Sequence, residues 1–162
     1  MNRTMGIGLA LMLAVGAAAL SPAKAADDAW QKVLKRDFGT EDDAMKAIRE
    51  EVESSAPDKR PALEVKLIAI LESPEATGPA KGFACRMLRY VGSAKCVPAA
   101  AKLLTDEKLS HMARRALEGI ADPSAEKALI DALGKTSGNV RVGIIETLGE
   151  RRAVGFARGL LV

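Results

Sequence analysis

The sequence has few of the residues on which catalysis and metal binding usually depend. It contains one histidine, His111, and two cysteines, Cys85 and Cys96. These three residues do not have the spacing of a zinc-ligand set, which needs three or four such side chains close together. A Gly-rich phosphate loop and a serine-elbow motif are also lacking. We therefore expect no metal, no cofactor and no catalytic residue in this protein.

Aromatic residues are scarce as well, at 3% of the chain. The five positions are Trp30, Phe38, Phe83, Tyr90 and Phe156. Alanine and leucine dominate instead, and both are strong helix formers. No segment after residue 25 has the composition that is typical of a β-strand. The composition predicts an all-α protein.

The first 25 residues have the organisation of a secretory signal peptide. Arg3 supplies a positive charge, and Met5 to Leu20 is an uncharged, mostly apolar run. Ser21 to Ala25 then provides a polar turn and an Ala-x-Ala cleavage site, after which we expect cleavage. Because a lysine within that site is unusual, cleavage one residue later is an alternative.

An uncleaved membrane anchor is the other alternative for this segment. Its apolar run would span only about 24 Å as a helix, which is short of a bilayer core of about 30 Å. We therefore predict export to the periplasm or the exterior, without a membrane anchor after cleavage. Residues 26–162 would remain, a length that is typical of one domain.

The charge of the predicted mature chain gives no indication of a nucleic-acid partner. Removing residues 1–25 takes away Arg3 and Lys24 and leaves 22 basic residues against 21 acidic ones. Nucleic-acid binding usually requires a marked excess of basic residues. We expect no nucleic acid as a partner.

Two apolar patterns recur along the C-terminal two thirds of the chain. Leu104, Leu133 and Leu161 end similar segments at spacings of 29 and 28 residues. A second pattern lies between them, at Leu88, Leu117 and Ile145 with the same spacings. Two interleaved apolar patterns in one period predict one helix pair per repeat. We therefore predict a right-handed α-solenoid of antiparallel helix pairs.

Breaks and caps divide the predicted mature chain into about nine helices. Residues 26–56 would form an N-terminal helical cap, and residues 57–162 would form repeats of which the last is incomplete. Gly39 and Thr40 are expected to end one helix and begin the next. Asp122 is expected to cap a helix over residues 123–133. Further helices are predicted over the ranges 95–104, 108–120, 140–148 and 153–161.

The repeat region resembles a known family. Phe83 to Leu88, the Val-Pro-Ala-x-x-x-Leu-Leu pattern from Val97 to Leu104, and Asp106 to Arg114 are similar to HEAT-repeat proteins, in particular to phycobilisome-lyase-type HEAT-like repeats. With the signal peptide and the helical cap, the chain looks like an exported bacterial HEAT-repeat protein. The resemblance implies an armadillo-type superhelix and protein–protein contact, and it carries no catalytic residues.

The chain departs from that family where it ends, one helix into the next unit. A truncated fragment of a longer HEAT-repeat protein is therefore an alternative interpretation. The last segment also carries apolar residues that no second helix would cover, at Val154, Phe156, Leu160, Leu161 and Val162. An uncovered apolar patch favours association with another surface. We expect self-association through this C-terminal end.

Five arginines are candidates for partner binding. Arg86 and Arg115 occupy equivalent positions in successive second helices, with Arg89, Arg114 and Arg141 nearby. Second helices usually line the concave face of a solenoid, and arginine is enriched at binding hot spots. A solvated face with weak internal ion pairs is the alternative. The hypothesis is a non-enzymatic scaffold that binds a protein partner on this face, with a lyase-like or hydrolytic accessory enzyme as its competitor.

The two cysteines and the histidine have structural interpretations too. Export to an oxidising compartment raises the question of a disulfide. Cys85 lies about two turns before the end of one helix and Cys96 begins the next, so their Cα atoms would be roughly 10 Å apart, beyond the limit of about 7 Å. Buried free thiols are expected. For His111 the alternatives are a structural role at the repeat edge and contact with a partner, because Ser110 beside it would point in another direction.

Overall fold

The computed structural model describes the backbone of residues 22–37 and 43–159 and the side chains of residues 28–37 and 43–152. It consists of eight α-helices and one short 3₁₀ helix that leads directly into α5, with no strand in the described ranges. The α-helices are α1 Pro22–Leu34, α2 Asp43–Glu53, α3 Arg60–Glu72, α4 Gly78–Val91, α5 Val97–Ala101, α6 Ser110–Glu118, α7 Pro123–Leu133 and α8 Gly138–Gly159; the 3₁₀ helix is Ala94–Cys96. The all-α prediction is confirmed.

The helices pack as two neighbouring rows. Helices α2, α4, α6 and α8 form one row, in which each contacts the next. Helices α3, α5 and α7 form the other row, again with contacts between successive members. Further contacts, α3 with α4, α5 with α6 and α7 with α8, join the rows. Apolar side chains fill the space between the rows, and this places the outward faces of α4, α6 and α8 side by side.

The apolar positions that repeat along the sequence form this core. Leu88 and Leu117, 29 residues apart, are both almost fully buried. The next interval differs from the prediction, because Ile144 is fully buried whereas Ile145 is 54% exposed. Ile144, and not Ile145, is therefore the structural equivalent of Leu117. One residue turns a helix by about 100°, so this difference changes which side of α8 faces α6.

The caps and prolines observed at the helix starts largely agree with those that the sequence predicts. The Asp122 carboxylate accepts a hydrogen bond from the Ser124 N–H at 2.9 Å, which confirms the predicted cap of α7. Prolines lie in the first turn of α3, α4, α5 and α7, where the missing N–H has no helical partner to lose. The predictions for Gly39 and Thr40 fall outside the described residues.

Two predicted helices differ from those observed. The range 95–104 is not one α-helix, since it contains the 3₁₀ helix, the five-residue α5 and then turns. The predicted break after residue 148 is wrong, because α8 continues without interruption to Gly159. Glycine within a helix costs only about 1 kcal/mol relative to alanine, and contacts that α8 makes with α6 compensate for it. No helix in the described part has the length and apolar character needed to cross a bilayer.

Helix α1 lies against α3 and the start of α4. Trp30 of α1 is buried, and the Lys66 ammonium of α3 lies 5.2 Å from its ring centroid. The Thr77 N–H donates a hydrogen bond to the Leu34 carbonyl at 3.0 Å, and the Thr77 hydroxyl donates to the Arg36 carbonyl. These contacts attach the end of α1 to the start of α4.

Candidate functional site

A cavity of about 410 Å³ lies along the outward faces of α4, α6 and α8. We call it the central groove. Helix α4 contributes Arg86 and Arg89, and α8 contributes Glu146 and Glu150. Helix α6 contributes residues of both signs, namely His111, Arg114, Arg115 and Glu118. The charge of the lining therefore changes from basic at α4 to acidic at α8.

The structure brings four of the five predicted arginines to this groove. Arg141 is the exception, since it is exposed on α8 and does not line the cavity. With Ile144 equivalent to Leu117, Arg141 takes the position on α8 that Arg114 takes on α6. That position is on the side directed away from the preceding helix. The predicted role of Arg141 in partner binding therefore stays a prediction.

Arg114 connects two helices. Its guanidinium donates hydrogen bonds to the Gly143 carbonyl at 2.6 Å and to the Thr147 hydroxyl at 3.2 Å. Thr147 is buried and its hydroxyl donates to the same carbonyl at 3.0 Å. A Cβ atom at position 143 would overlap the guanidinium, so glycine allows this close approach. Arg114 thus holds α8 against α6 and also lines the groove, and its predicted role in partner binding stays a prediction.

Sequence reasoning missed Arg151, which has the largest set of hydrogen bonds among the arginines of α8 whose side chains the structure describes. One of its nitrogens donates to the carbonyls of Leu117 at 2.5 Å, Ile120 at 2.6 Å and Glu118 at 3.2 Å. The three carbonyls lie at the end of α6 and just beyond it, and the Leu117 carbonyl also accepts a hydrogen bond from the Ile120 N–H at 3.2 Å. Desolvation by burial lowers the pKa of Arg151, and the nearby Glu126 carboxylate opposes that effect. No sequence signal identified this residue, because the predicted break of α8 placed it in a loop.

The remaining arginines of the groove are exposed. The Arg86 guanidinium lies 5.9 Å from the ring centroid of Phe83. An Arg115 nitrogen is 4.0 Å from a Glu118 carboxylate oxygen, and the Arg115 side chain is 55% exposed. An exposed pair at that distance contributes only about 0–1 kcal/mol, so a partner can readily displace it. Arg86, Arg89 and Arg115 are thus placed to contact a ligand in the groove.

The geometry around His111 gives no support for a catalytic pair. His111 is exposed at the start of α6 and lines the groove, whereas Ser110 is buried at 2% exposure. The two side chains therefore point into different environments, and general base catalysis on a serine requires a direct hydrogen bond. His111 is placed as a groove residue.

The two cysteines are free and fully buried, as predicted. Desolvation raises the pKa of Cys85 to about 12, with a smaller contribution from the neighbouring Cys96. Desolvation also raises the pKa of Cys96 to about 12, and the charge of Glu64 adds to this. Both thiols are therefore protonated at neutral pH, and a thiol without its thiolate form is a poor nucleophile. The cysteines belong to the packing of the core.

Glu64 is a buried carboxylate of α3 with a defined role. It is 2% exposed and accepts hydrogen bonds from the Ser93 N–H at 2.7 Å and from the Ser93 hydroxyl at 2.9 Å. Ser93 is the N-cap of the 3₁₀ helix, so Glu64 connects α3 to the start of the segment that leads into α5.

The described side chains offer no evident metal centre. Among them, no group of three or more His, Cys, Asp or Glu lies close enough together to hold a metal ion. The groove has basic and acidic groups but no preformed arrangement of nucleophile and base. Such a lining is suited to binding charged side chains of another molecule.

Comparison with known protein families, with curated proteins and with solved structures finds no match to this chain.

Proposed function

We propose that this protein is a non-enzymatic interaction module that binds a protein partner in the central groove. The observation that carries the proposal is the groove itself, a cavity of about 410 Å³ that three neighbouring helices of one row, α4, α6 and α8, line with charged side chains. Arginine and acidic side chains around a groove favour specific association through complementary charge. The accessory-enzyme hypothesis has no comparable observation in its favour.

In this proposal the helices form a right-handed α-solenoid of the HEAT-like type. The two rows of successive helices support it, as do the contacts between positions one repeat apart. Glu64 and Ser93 are 29 residues apart, as are Arg114 and Gly143. The Lys102–Glu72 ion pair, at 2.9 Å, spans 30 residues. Contacts mainly between neighbouring units are typical of solenoids, whose row of second helices serves as an extended binding surface.

The same proposal places the protein in the periplasm or outside the cell, after cleavage behind Ala25. Helix α1 begins at Pro22, so the cleaved chain would keep residues 26–34 of that helix. Determination of the N-terminus of the exported protein tests this placement. An N-terminus at Ala26 or Asp27 agrees with it, whereas an intact Met1 in the membrane fraction contradicts it.

The binding proposal is tested by capture of partners with groove variants. Arg89 and Arg115 would be replaced together by glutamate, and the matched control is Lys135→Glu, an exposed charge reversal outside the groove. We expect a partner that the native chain and the control capture equally, and that the double variant loses. Circular dichroism must show the same helix content for all three. Equal capture by the double variant would mean that the groove does not bind the partner.

The enzyme alternative predicts a different result. Replacement of His111 by alanine would then remove an activity while capture and folding persist. In our proposal, His111→Ala changes only the affinity for the protein partner.

A further inference from the structure

Some of the charges that line the central groove are already engaged within the protein. Arg86 interacts with other groups of the chain, and Arg114 is hydrogen-bonded to α8. A nitrogen of Arg115 lies 4.0 Å from a carboxylate oxygen of Glu118. These four groups have partners before any ligand binds, so they do not by themselves determine which ligand the groove accepts.

Three other charged side chains of the groove have no such partner. They are Arg89 on α4 and Glu146 and Glu150 on α8, and all three residues are exposed. None of these side chains makes a hydrogen bond or an ion pair with any residue in the described part of the chain. A ligand of opposite charge can therefore pair with them without first breaking an ion pair of the protein.

Glu146 and Glu150 lie one turn apart on α8. Side chains four positions apart are neighbours on a helix surface, and two like charges at this spacing destabilise the helix slightly. A guanidinium or ammonium group that binds to both carboxylates would replace this repulsion by attraction. The α8 end of the groove therefore favours a basic side chain, whereas Arg89 favours an acidic one at the α4 end.

The distance between the two ends limits the length of what binds them. Neighbouring packed helices have axes about 8–10 Å apart, and α6 lies between α4 and α8, so the two ends are about 16–20 Å apart. An extended chain advances about 3.3 Å per residue, and residues six apart project from the same side of it. Six residues of extended chain, about 20 Å, therefore connect Arg89 with the carboxylates of α8.

We infer that the central groove binds an extended segment of the protein partner with an acidic side chain at one end and a basic side chain about six residues away. The acidic side chain pairs with Arg89, and the basic one pairs with Glu146 and Glu150. Between these ends the segment crosses α6 over Met112, which also lines the groove. The inference rests on the proposed function and specifies the charge order and the length of the bound segment.

Charge complementarity selects this occupant over a segment of one sign. A wholly acidic segment would place like charges beside Glu146 and Glu150, and a wholly basic segment would place one beside Arg89. Like charges brought together at an interface oppose binding. The phosphates of a nucleic acid would meet the same two carboxylates. A segment with the inferred charge order forms favourable pairs at both ends.

The first test titrates the purified full chain with nonapeptides that have blocked ends, at low salt, and follows binding by NMR. The probe is Ser-Glu-Thr-Thr-Thr-Thr-Thr-Arg-Ser, made also in the reverse order because the charges do not set the chain direction. Comparison peptides replace the glutamate or the arginine by glutamine, or shorten the threonine run to two. Each lost pair should weaken binding about twofold to fivefold, and high salt should weaken the probe. Equal affinities for the probe, in both orders, and the comparison peptides would overturn the inference.

The second test reverses the charge of the α8 end. In a variant with Glu146→Lys and Glu150→Lys, we expect weaker binding of the probe and tighter binding of a peptide with glutamate at both ends. The matched control carries Glu75→Lys and Glu107→Lys, the same change of net charge at two exposed positions outside the groove. Circular dichroism must show equal helix content in the native chain and both variants. An unchanged order of peptide affinities in the groove variant would exclude these carboxylates as the site of the basic side chain.

Capture of the partner separates this inference from the proposed function. The partner should be lost when Arg89 and Arg115 are reversed, and also when Glu146 and Glu150 are reversed. Loss in the arginine variant alone would support the groove as the binding site but overturn the inferred charge order. Loss in the glutamate variant alone would mean that the bound segment is wholly basic, which also overturns it. Capture by both variants would overturn the proposed function together with the inference.

Discussion

Individual side chains of this protein hold neighbouring helices of one row together. Glu64, Arg114 and Arg151 each extend from one helix to backbone or side-chain groups 29 to 34 residues away along the chain. A hydrogen bond to a charged group contributes about 1.5–3 kcal/mol when it is made, and an unsatisfied buried partner costs a similar amount. Charged residues that look like surface groups in the sequence thus stabilise the interfaces between neighbouring helices.

The contact between Arg114 and Gly143 predicts that Gly143→Ala lowers the stability of the native chain but raises the stability of a chain that lacks Arg114. In the native chain, Gly143→Ala displaces the guanidinium and removes its bond to the carbonyl, which destabilises the fold by about 1 kcal/mol net. In an Arg114→Met background nothing is displaced, and the same substitution stabilises the helix by about 1 kcal/mol. Chemical denaturation of the four chains measures both values. Equal effects in the two backgrounds would contradict the contact.

The buried thiols predict a decrease in stability at high pH. Their folded pKa values of about 12 exceed the ordinary value of 9.0, so the unfolded chain loses these protons first. Rising pH therefore favours the unfolded state, and the thiols' contribution is lost progressively from about pH 9 towards pH 12. Urea unfolding between pH 7 and pH 10.5 measures this decrease, which should be smaller when both cysteines are replaced by alanine. A thiol reagent at pH 8 should label neither cysteine until denaturant is added.

At the level of helices, the end of α6 depends on α8. The last carbonyls of α6 accept hydrogen bonds from Arg151, which lies near the middle of α8. Continuity of α8 through residues 149–152 is what places this side chain beside α6. The capping of one helix and the length of another are therefore coupled.

Adjacent arginines of α8 offer a matched pair to test this coupling. Arg151→Met removes hydrogen bonds to three carbonyls and should destabilise the fold by about 2–3 kcal/mol. Arg152→Met removes only an exposed interaction, 4.0 Å from Glu126, and should change stability by less than about 0.5 kcal/mol. Thermal and chemical denaturation compare the two. Amide hydrogen exchange at Gly119 and Ile120 should become faster only in Arg151→Met. Equal exchange rates and equal stabilities in the two variants would show that Arg151 does not cap α6.

At the level of the whole molecule, α8 exposes apolar residues where preceding helices expose charges. Val142 and Ile145 are each 54% exposed. In the observed register their equivalents on α6 are Arg115 and Glu118. Val142 and Ile145 therefore form an exposed apolar surface through which the predicted self-association can occur. The apolar residues that the sequence analysis assigned to this association lie outside the described side chains.

This surface predicts the effect of a single charge on association. We expect the molecular mass of the native chain in light scattering to rise with concentration. Ile145→Glu should prevent this increase, because a charge opposes burial of the patch. Val65→Glu is the control, since Val65 is 60% exposed on α3, away from α8. A native chain that stays monomeric at all concentrations would mean that the apolar face is tolerated in solvent.

The sequence by itself determined the helical class, most helix starts and the apolar core positions up to Leu133. These depend on local chemistry, such as prolines in first turns, the Asp122 cap and the spacing of leucines around a helix. The tertiary structure alone decided the register and length of α8 and the roles of Arg114 and Arg151. Those features depend on carbonyls of a helix about 30 residues away. A backbone carbonyl is the same group in every residue, so the sequence does not mark which one an arginine will bind.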